Sequence, residues 1–355
     1  MNDPRRGIHG EPSPRRLEKE YEINAIVALA HNENPLGPSP KAVEAMSAQL
    51  WNVHRYPEEH GRHLVNALAR NLWVEPEQII LGNGSDEVIE MLARRFLQPG
   101  DEVILPEPAF HAYEASVKRH QAVPVGAPLG FPRPDVTVLA DRITPRTRMV
   151  FLSNPANPTG GIITKGDMEA FLEPVSRDAV VVLDEAYIEF VRDKECARGL
   201  DFLYHDNTVV VLRTFSKLYG LAGLRVGYGV ARPEIVAALE EVRLKYNTNA
   251  LAHVAAAAAL GDEEHITRTL LVVDDGLTMM YEVFDAMGLD YARTQTNFVL
   301  VDVGQSATSV VEAMARQGVY VRDMTNYGLP GHIRVSVGLE YENQRFLEVL
   351  GKVLG

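Results

Sequence analysis

The chain has 355 residues, 46% of them hydrophobic, so it can bury a large core and is long enough for two domains. Its net charge of −13 argues against the basic surface that non-specific nucleic-acid binding requires, so no nucleic-acid partner is expected. No apolar run reaches about eighteen residues, so we expect no membrane span, and no apolar stretch follows the charged N-terminal residues, so we expect no secretory signal. The single cysteine, Cys196, permits no internal disulfide, zinc cluster or CxxC pair, so we expect no metal site and a cytoplasmic location.

Residues 1–20, which are rich in proline, arginine and glutamate, are predicted to form an exposed arm. From about residue 62, short apolar runs alternate with helical patterns, which is typical of a mostly parallel α/β sheet whose strands are buried on both faces. The predicted strands are Gln78–Leu81, Glu102–Leu105, Arg148–Ser153, Ala179–Leu183, Thr208–Leu212 and Val226–Val230. The predicted helices are Asp86–Phe96, Phe110–His120 and Gly166–Pro174.

After about residue 231 the pattern changes to long helices followed by short strands, which predicts a smaller α+β domain. Its predicted helices are Glu234–Ala259 (interrupted near Lys245–Asn249), Ile266–Met287 and Glu342–Leu354, and its predicted strands are Phe298–Asp302, Val319–Arg322 and His332–Val337. The expected division is an arm over 1–20, a small domain over 21–50 plus 246–355, and a large domain over 51–245.

The segment LRTFSKLYGLAGLRVGYG (212–229) carries the strongest chemical signal in the chain. Most lysines are solvated surface groups, but Lys217 is flanked by apolar residues, and a desolvated lysine becomes a usable amine nucleophile. Thr214, Ser216 and Arg225 supply two hydroxyls and a guanidinium for an anion beside it. An amine next to a phosphate site is the arrangement that a pyridoxal phosphate Schiff base needs.

A second signal is the acid at the end of the apolar run in VVVLDEAYIEF (180–190). A buried carboxylate is costly without a partner, and a protonated pyridine nitrogen would be such a partner for Asp184. Tyr187, three residues later, could hydrogen-bond a phenolic oxygen. Capping of the next element by Asp184 is the structural alternative, which the lysine segment 33 residues later makes less attractive.

Three weaker signals follow other predicted strands. In SNPANPTGG (153–161), two Asn-Pro pairs form a rigid turn that can direct Asn157 toward the sheet edge. GNGSDE (82–87) opens a helix, where backbone N–H groups and Ser85 either bind phosphate or simply cap the helix. Phe110 could stack on a cofactor ring or could be an ordinary core aromatic.

Together these segments resemble the fold-type I aminotransferases, which use pyridoxal 5'-phosphate, and within them the histidinol-phosphate aminotransferase family. The resemblance covers nearly the whole chain. It rests on NENPLGPSPKA (32–42), RYPE (55–58), GNGSDE, NPANPTG, LDEAY, RTFSKLYGLAGLRVGY and YGLPGHIRVSVG (327–338). It implies an aspartate aminotransferase-like α/β fold, in which a large domain has a mostly parallel seven-stranded sheet between helices and a smaller domain is α+β.

The resemblance also implies roles for individual residues. Lys217 would carry the cofactor and move the proton of the reaction, and Asp184 would pair with the pyridine nitrogen. Tyr187 and Asn157 would hold the phenolic oxygen, and Phe110 would stack on the ring. The residues implied in phosphate binding are Gly84, Ser85, Thr214, Ser216 and Arg225.

Other implied residues concern the substrate and a partner subunit. Tyr56 would reach the phosphate of the partner's cofactor, which implies a homodimer with shared active sites. Arg334, helped by Arg322, would bind the acidic group of the substrate, and Asn34 and His31 are the remaining predicted substrate-binding residues. For each arginine, a surface salt bridge is the simpler alternative.

The implied reaction moves an amino group from histidinol phosphate or an aromatic amino acid to a 2-oxo acid such as 2-oxoglutarate. Three departures from the family pattern are His31 before NENP, RLKYNTN at 243–249, and Phe110 where many transaminases have Tyr or Trp. His31, Phe110 and the arm over 1–20 also resemble features of oxygen-dependent arginine oxidases with the same fold. An amino-acid-phosphate decarboxylase is a further alternative.

Overall fold

A computed structural model describes residues 14–21, 25–130 and 134–355. Of the predicted arm, residues 1–13 lie outside the described residues, and the remainder forms a short helix. The helices are α1 Pro14–Glu20, α2 Pro40–Gln49, α3 Arg62–Leu72, α4 Ser85–Phe96, α5 His111–Arg119, α6 Thr137–Ala140, α7 Lys165–Leu172, α8 Pro233–Glu240, α9 Ala250–Leu260, α10 Glu263–Met287, α11 Ala307–Ala315 and α12 Glu340–Leu354.

The strands are β1 Val27–Ala28, β2 Ile79–Gly82, β3 Glu102–Glu107, β4 Val123–Pro128, β5 Thr147–Ser153, β6 Val180–Asp184, β7 Thr208–Thr214, β8 Gly227–Val230, β9 Phe298–Asp302, β10 Val319–Tyr320, β11 Arg322–Asp323 and β12 His332–Ser336. Seven of them form one sheet in the order β2-β8-β7-β6-β5-β3-β4. In that sheet β8 is antiparallel to both of its neighbours, and the remaining pairs are parallel. The α/β fold class predicted from the sequence is therefore confirmed.

The central strands of the sheet are buried on both faces, as their unbroken apolar sequences predict. All five residues of Val180–Asp184 are buried, and Phe151 and Val210 on the adjoining strands are fully enclosed. Helices α4, α5 and α8 contribute apolar side chains to the same core. This packing fixes the ends of the central strands and so fixes the residues that follow them.

The chain divides into two compact units. One contains the seven-stranded sheet and comprises residues 33–271 and 294–296. The other comprises the described residues up to 32 together with 272–293 and 297–355, and contains the β1-β10 and β11-β12-β9 sheets. Residues 33–50 and 246–271, expected in the small domain, fall in the sheet-bearing unit because α2 and α3 both pack against α9.

Several elements differ from the predictions. The predicted strand Val319–Arg322 is divided into β10 and β11, which join different sheets. The elements with no predicted counterpart are the strands β1 and β4 and the helices α2, α3, α6 and α11. No helix in the described part of the chain combines the length and apolar character needed to cross a membrane.

Candidate active site

The predicted cofactor residues follow strand ends that meet at one edge of the seven-stranded sheet. In the strand register, Ser153 lies beside Asp184, which lies beside Leu212, and Thr214 lies beside Gly227. Since β5, β6 and β7 are parallel, their carboxyl ends point the same way. In sheets of this kind the ligand crevice lies just outside the carboxyl ends, so the register supports the predicted location of the site.

The start of α4 and the turn before β8 form a cradle. Gly84 has φ of +78°, and a Cβ atom there would lie 2.3 Å from Nη2 of Arg225. A Cβ atom on Gly227 would lie 2.4 Å from the backbone nitrogen of Ser85. The two glycines therefore allow a guanidinium and a neighbouring strand to lie against the first turn of α4. Helix N–H groups beside a cation form a favourable environment for phosphate.

Arg225 is held in this cradle by its own contacts. Its Nη2 donates to Oδ2 of Asp86 at 2.9 Å, and its Nη1 lies 3.5 Å from the hydroxyl of Ser216. The backbone N–H of Ser216 donates to Oγ1 of Thr214 at 3.1 Å, and both hydroxyl-bearing residues are buried. The structure thus places Thr214, Ser216 and Arg225 together, as the sequence predicts.

Lys217 and Tyr187 meet on the same side of the sheet edge. The Nζ atom of Lys217 lies 5.7 Å from the centre of the Tyr187 ring, and Tyr187 is buried. An aromatic face within this distance attracts an ammonium group and also displaces water from it. The side chain of Lys217 is half-buried, so its amine is partly shielded from water.

Asp184 is buried and only 5% exposed. Its Oδ2 accepts a hydrogen bond from the hydroxyl of Tyr113 at 2.6 Å, and its Oδ1 accepts one from the backbone N–H of Ala186 at 3.1 Å. Burial raises the pKa of Asp184 to about 6, although both hydrogen bonds act in the opposite direction. A buried carboxylate with this residual cost would gain most from a cationic partner.

The Asn157 turn and Phe110 border the same edge. The backbone N–H of Asn157 donates to Oγ of Ser153 at 3.3 Å, which fixes the turn to the end of β5. Phe110 directly precedes α5 and meets Tyr113 edge to face, with ring centres 5.6 Å apart. The sequence singled out Phe110 but missed Tyr113, because a tyrosine inside a helix gives no signal of its own.

A second feature missed from the sequence lies beneath the site. Arg213 bonds Oε2 of Glu185 through Nε at 2.9 Å and through Nη2 at 2.8 Å, and both side chains are buried. Oε1 of Glu185 accepts the backbone N–H of Gly199. These residues immediately follow Asp184 and precede Thr214, so the ion pair joins the ends of β6 and β7. This ion pair could have been predicted from the sequence, because an arginine in an apolar strand requires a buried acid as its partner.

Asn34 has a contact that the sequence did not predict. Its Nδ2 donates to the backbone oxygen of Leu218 at 2.6 Å and lies 3.2 Å from Oγ1 of Thr269, and its Oδ1 accepts the N–H of Leu36. These contacts tie NENPLG to the residue after Lys217. The predicted substrate-binding role of Asn34 remains a prediction.

Tyr56 lies on the surface, with 82% of its area exposed, and its ring stacks on Tyr246, with ring centres 4.7 Å apart.

The remaining predicted substrate residues belong to the unit that contains the β11-β12-β9 sheet. Arg322 and Arg334 are paired directly across β11 and β12, and both are buried. Arg334 donates to the backbone oxygen of Ala30 at 2.9 Å, while His31 is exposed.

Two comparisons by sequence identify the family to which the chain belongs. The family model for aminotransferase class I and II matches residues 24–350. A histidinol-phosphate aminotransferase from Anaeromyxobacter sp. (strain Fw109-5) is 42% identical over 98% of this chain and 96% of that protein. Another from Moorella thermoacetica is 40% identical over 98% of this chain and 90% of that protein.

Solved structures give the same result. Histidinol-phosphate aminotransferase from Sinorhizobium meliloti, solved with pyridoxal-5'-phosphate, has a TM-score of 0.89 and 26% identity, and the match covers 100% of this chain and 98% of that one. Aspartate aminotransferase from Thermus thermophilus shares the fold, with a TM-score of 0.85 and 24% identity over 99% and 100% of the chains. The chain therefore belongs to the class I and II aminotransferases and, within them, to the histidinol-phosphate aminotransferase family.

Proposed function

We propose that this aminotransferase uses pyridoxal 5'-phosphate to transfer the amino group of histidinol phosphate to 2-oxoglutarate. The observation that carries the proposal is the grouping of Asp184, Lys217 and the Arg225 cradle at one sheet edge. The names of the relatives supply the substrate. They favour this reaction over the arginine oxidase and the decarboxylase.

The residues at the sheet edge fit pyridoxal phosphate. The cradle, where a side chain on Gly84 would collide with Arg225, has the guanidinium, hydroxyls and N–H groups that a phosphate requires. The buried Asp184 carboxylate, whose pKa burial raises to about 6, would gain from a protonated ring nitrogen. When bound, the cofactor supplies a ring that accepts the electron pair released as the substrate Cα–H bond breaks.

The chain's own side chains would perform the remaining tasks. Asp184 would hold the proton on the ring nitrogen, and Tyr187 with Asn157 would orient the phenolic oxygen. Nζ of Lys217 would take the proton from the substrate Cα. It would deliver this proton to the cofactor carbon that bears the amino group after the transfer. An amine that is half-buried at the sheet edge, against Tyr187, is held where such a proton transfer takes place.

Arg322 and Arg334 would bind the phosphate group of the donor. The register places the two arginines directly opposite each other on antiparallel strands, so both guanidinium groups could bind one dianion. Arg334 also lies over the ring of Phe298, 5.2 Å from its centre, which keeps the guanidinium in place. The paired arginines therefore support a phosphorylated donor over an uncharged one.

Absorbance measurements on the holoenzyme test this proposal. Histidinol phosphate is expected to convert the cofactor band to that of its amine form without oxygen, and 2-oxoglutarate is expected to reverse the change. Phenylalanine and arginine are the comparison donors. A faster conversion with phenylalanine would overturn the substrate assignment, and a change with arginine that requires oxygen would favour the oxidase.

The same assay tests the arginine pair. Arg334→Gln is expected to raise KM for histidinol phosphate roughly a hundredfold, with a smaller change in kcat, because it removes a charged hydrogen-bond donor from the phosphate. The matched control is Arg316→Gln, which removes an exposed arginine of the same unit that pairs with Glu312. Equal KM values for the two variants would contradict the assignment.

We also propose a cytoplasmic location, which the single cysteine of the chain suggests.

We further propose that two copies of the chain form a dimer that shares its active sites. A continuous surface stretch exposes Leu50, Trp51, Val53 and Tyr56, and monomeric proteins rarely leave such a patch uncovered. The Tyr56–Tyr246 stack would be presented to the partner's cofactor. Light scattering is expected to give twice the chain mass of 39.3 kDa, and a single-chain mass would contradict the dimer.

A further inference from the structure

Tyr113 of α5 is a buried tyrosine that has no place in the roles described so far. Its side chain is fully enclosed, and its hydroxyl donates to Oδ2 of Asp184 at 2.6 Å. The other oxygen, Oδ1, accepts the backbone N–H of Ala186 at 3.1 Å. The carboxylate is therefore held through both of its oxygens, and Tyr113 is the side chain that holds it.

The ring of Tyr113 cannot easily change its position. It stacks on Phe151 of β5 with ring centres 4.5 Å apart and planes 12° apart, and it meets Phe110 edge to face. Aromatic pairs of this geometry are favourable beyond the area they bury. The packing thus fixes the hydroxyl, and the same ring links Phe110, predicted to cover the cofactor, to Asp184, predicted to pair with it.

The direction of the hydrogen bond follows from the surroundings of the two groups. Burial, followed by the charge of Asp184, raises the pKa of Tyr113 far above its usual value, so the hydroxyl keeps its proton and remains the donor. Burial and the charges of Asp86 and Glu185 raise the pKa of Asp184 to about 6, whereas the bonds from Tyr113 and Ala186 lower it. Tyr113 thus favours the ionised form of a carboxyl group that its environment disfavours.

We propose that Tyr113 is a positioning residue, whose hydroxyl fixes the plane of the Asp184 carboxylate and keeps it ionised for the protonated nitrogen of the cofactor ring. This inference rests on the proposed function, in which Asp184 has that partner. A hydrogen bond to a charged acceptor is strong enough to decide the ionisation of a buried acid. Ser153 lies beside Asp184 in the strand register, and its hydroxyl accepts the N–H of Asn157, so the arrangement adjoins the turn that carries Asn157.

The experiment measures binding of pyridoxal phosphate to the apoenzyme, without substrate, between pH 6 and 9. Tyr113→Phe keeps the ring and removes only the hydroxyl. It is expected to weaken binding at pH 7 roughly tenfold, the effect of one hydrogen bond to a charged group. The difference in affinity between the variant and the wild type is expected to shrink toward pH 9. Loss of the hydroxyl raises the pKa of Asp184, so more of this carboxyl group is protonated at neutral pH than in the alkaline range.

Two controls separate this role from packing. Tyr228→Phe removes another fully buried hydroxyl, one that lies near Arg213, and is expected to bind the cofactor as wild type does over the whole pH range. In an Asp184→Asn background, Tyr113→Phe is expected to cause no further loss, since the two residues act through one contact. A further loss of similar size in that background would show that Tyr113 acts independently of Asp184 and would overturn the inference.

The outcomes also distinguish this inference from the proposed function. If wild-type protein does not bind pyridoxal phosphate at Lys217, the proposed function fails. If wild type binds it and Tyr113→Phe binds with the same affinity and pH dependence, only the positioning role fails.

Discussion

Replacing Lys217 by alanine is expected to abolish transamination and the covalent retention of pyridoxal phosphate. The variant removes the amine that lies beside Tyr187 and follows the Thr214–Ser216 hydroxyls in sequence. It therefore removes both the attachment point and the group that moves the proton. The rate is expected to fall at least about ten-thousandfold, as for loss of a nucleophile that also acts as a base.

Mass spectrometry after borohydride reduction measures the attachment directly. Wild-type protein is expected to gain the mass of one reduced cofactor per chain, and Lys217→Ala is expected to gain none. Lys165→Ala, at an exposed position that opens α7 in the same unit, is the matched control and should behave as wild type does. A cofactor adduct on the Lys217→Ala chain would show that another lysine carries it.

The large sheet was predictable because its central strands are buried on both faces. Continuous apolar runs such as Val180–Asp184 have few alternatives to a buried strand. The strand β4 was missed because it lies at the edge of the sheet, has only one buried residue, and contains two prolines and a glycine. The boundary between the units was less predictable, since α2, α3 and α9 pack together across about 200 residues of sequence.

The site residues that carry a chemical signature were predictable from their order after the strands. The residues that hold them in place were not, because hydrogen bonds between distant segments leave no sequence pattern. The Tyr113–Asp184 bond spans 71 residues, and the bond from Asn34 to the Leu218 oxygen spans 184. Only the Glu185–Arg213 ion pair could have been anticipated, from an arginine in an apolar strand.

Replacing Asp184 by asparagine is expected to lower kcat roughly a hundred- to a thousandfold, the loss typical of one preorganised electrostatic group. The amide has nearly the same shape, and its oxygen can still accept the hydroxyl of Tyr113. It cannot supply the negative charge that holds a proton on the ring nitrogen. The loss is therefore expected in the chemical step and not in folding.

Stability of the apoenzyme separates these two explanations, because the pKa of Asp184 changes on folding. The pKa is about 6 in the folded chain and 3.8 in the unfolded reference, so the folded state binds a proton more tightly. The contribution of this proton to the free energy of unfolding is fully present below about pH 4. It is lost as the pH rises through 6. Above that, the wild type bears a cost of about 3 kcal/mol, at about 1.4 kcal/mol per pKa unit.

Asp184→Asn removes this cost, so its free energy of unfolding relative to wild type is expected to rise between pH 4 and pH 8 by up to about 3 kcal/mol. Urea unfolding of the two apoenzymes at both pH values measures the difference. Asp178→Asn, which removes an exposed charge in the same unit, is the matched control. A variant that is less active but more stable at pH 8 has lost a catalytic charge. Lower stability at both pH values would instead show that Asp184 mainly supports the fold, and the ring nitrogen would need another partner.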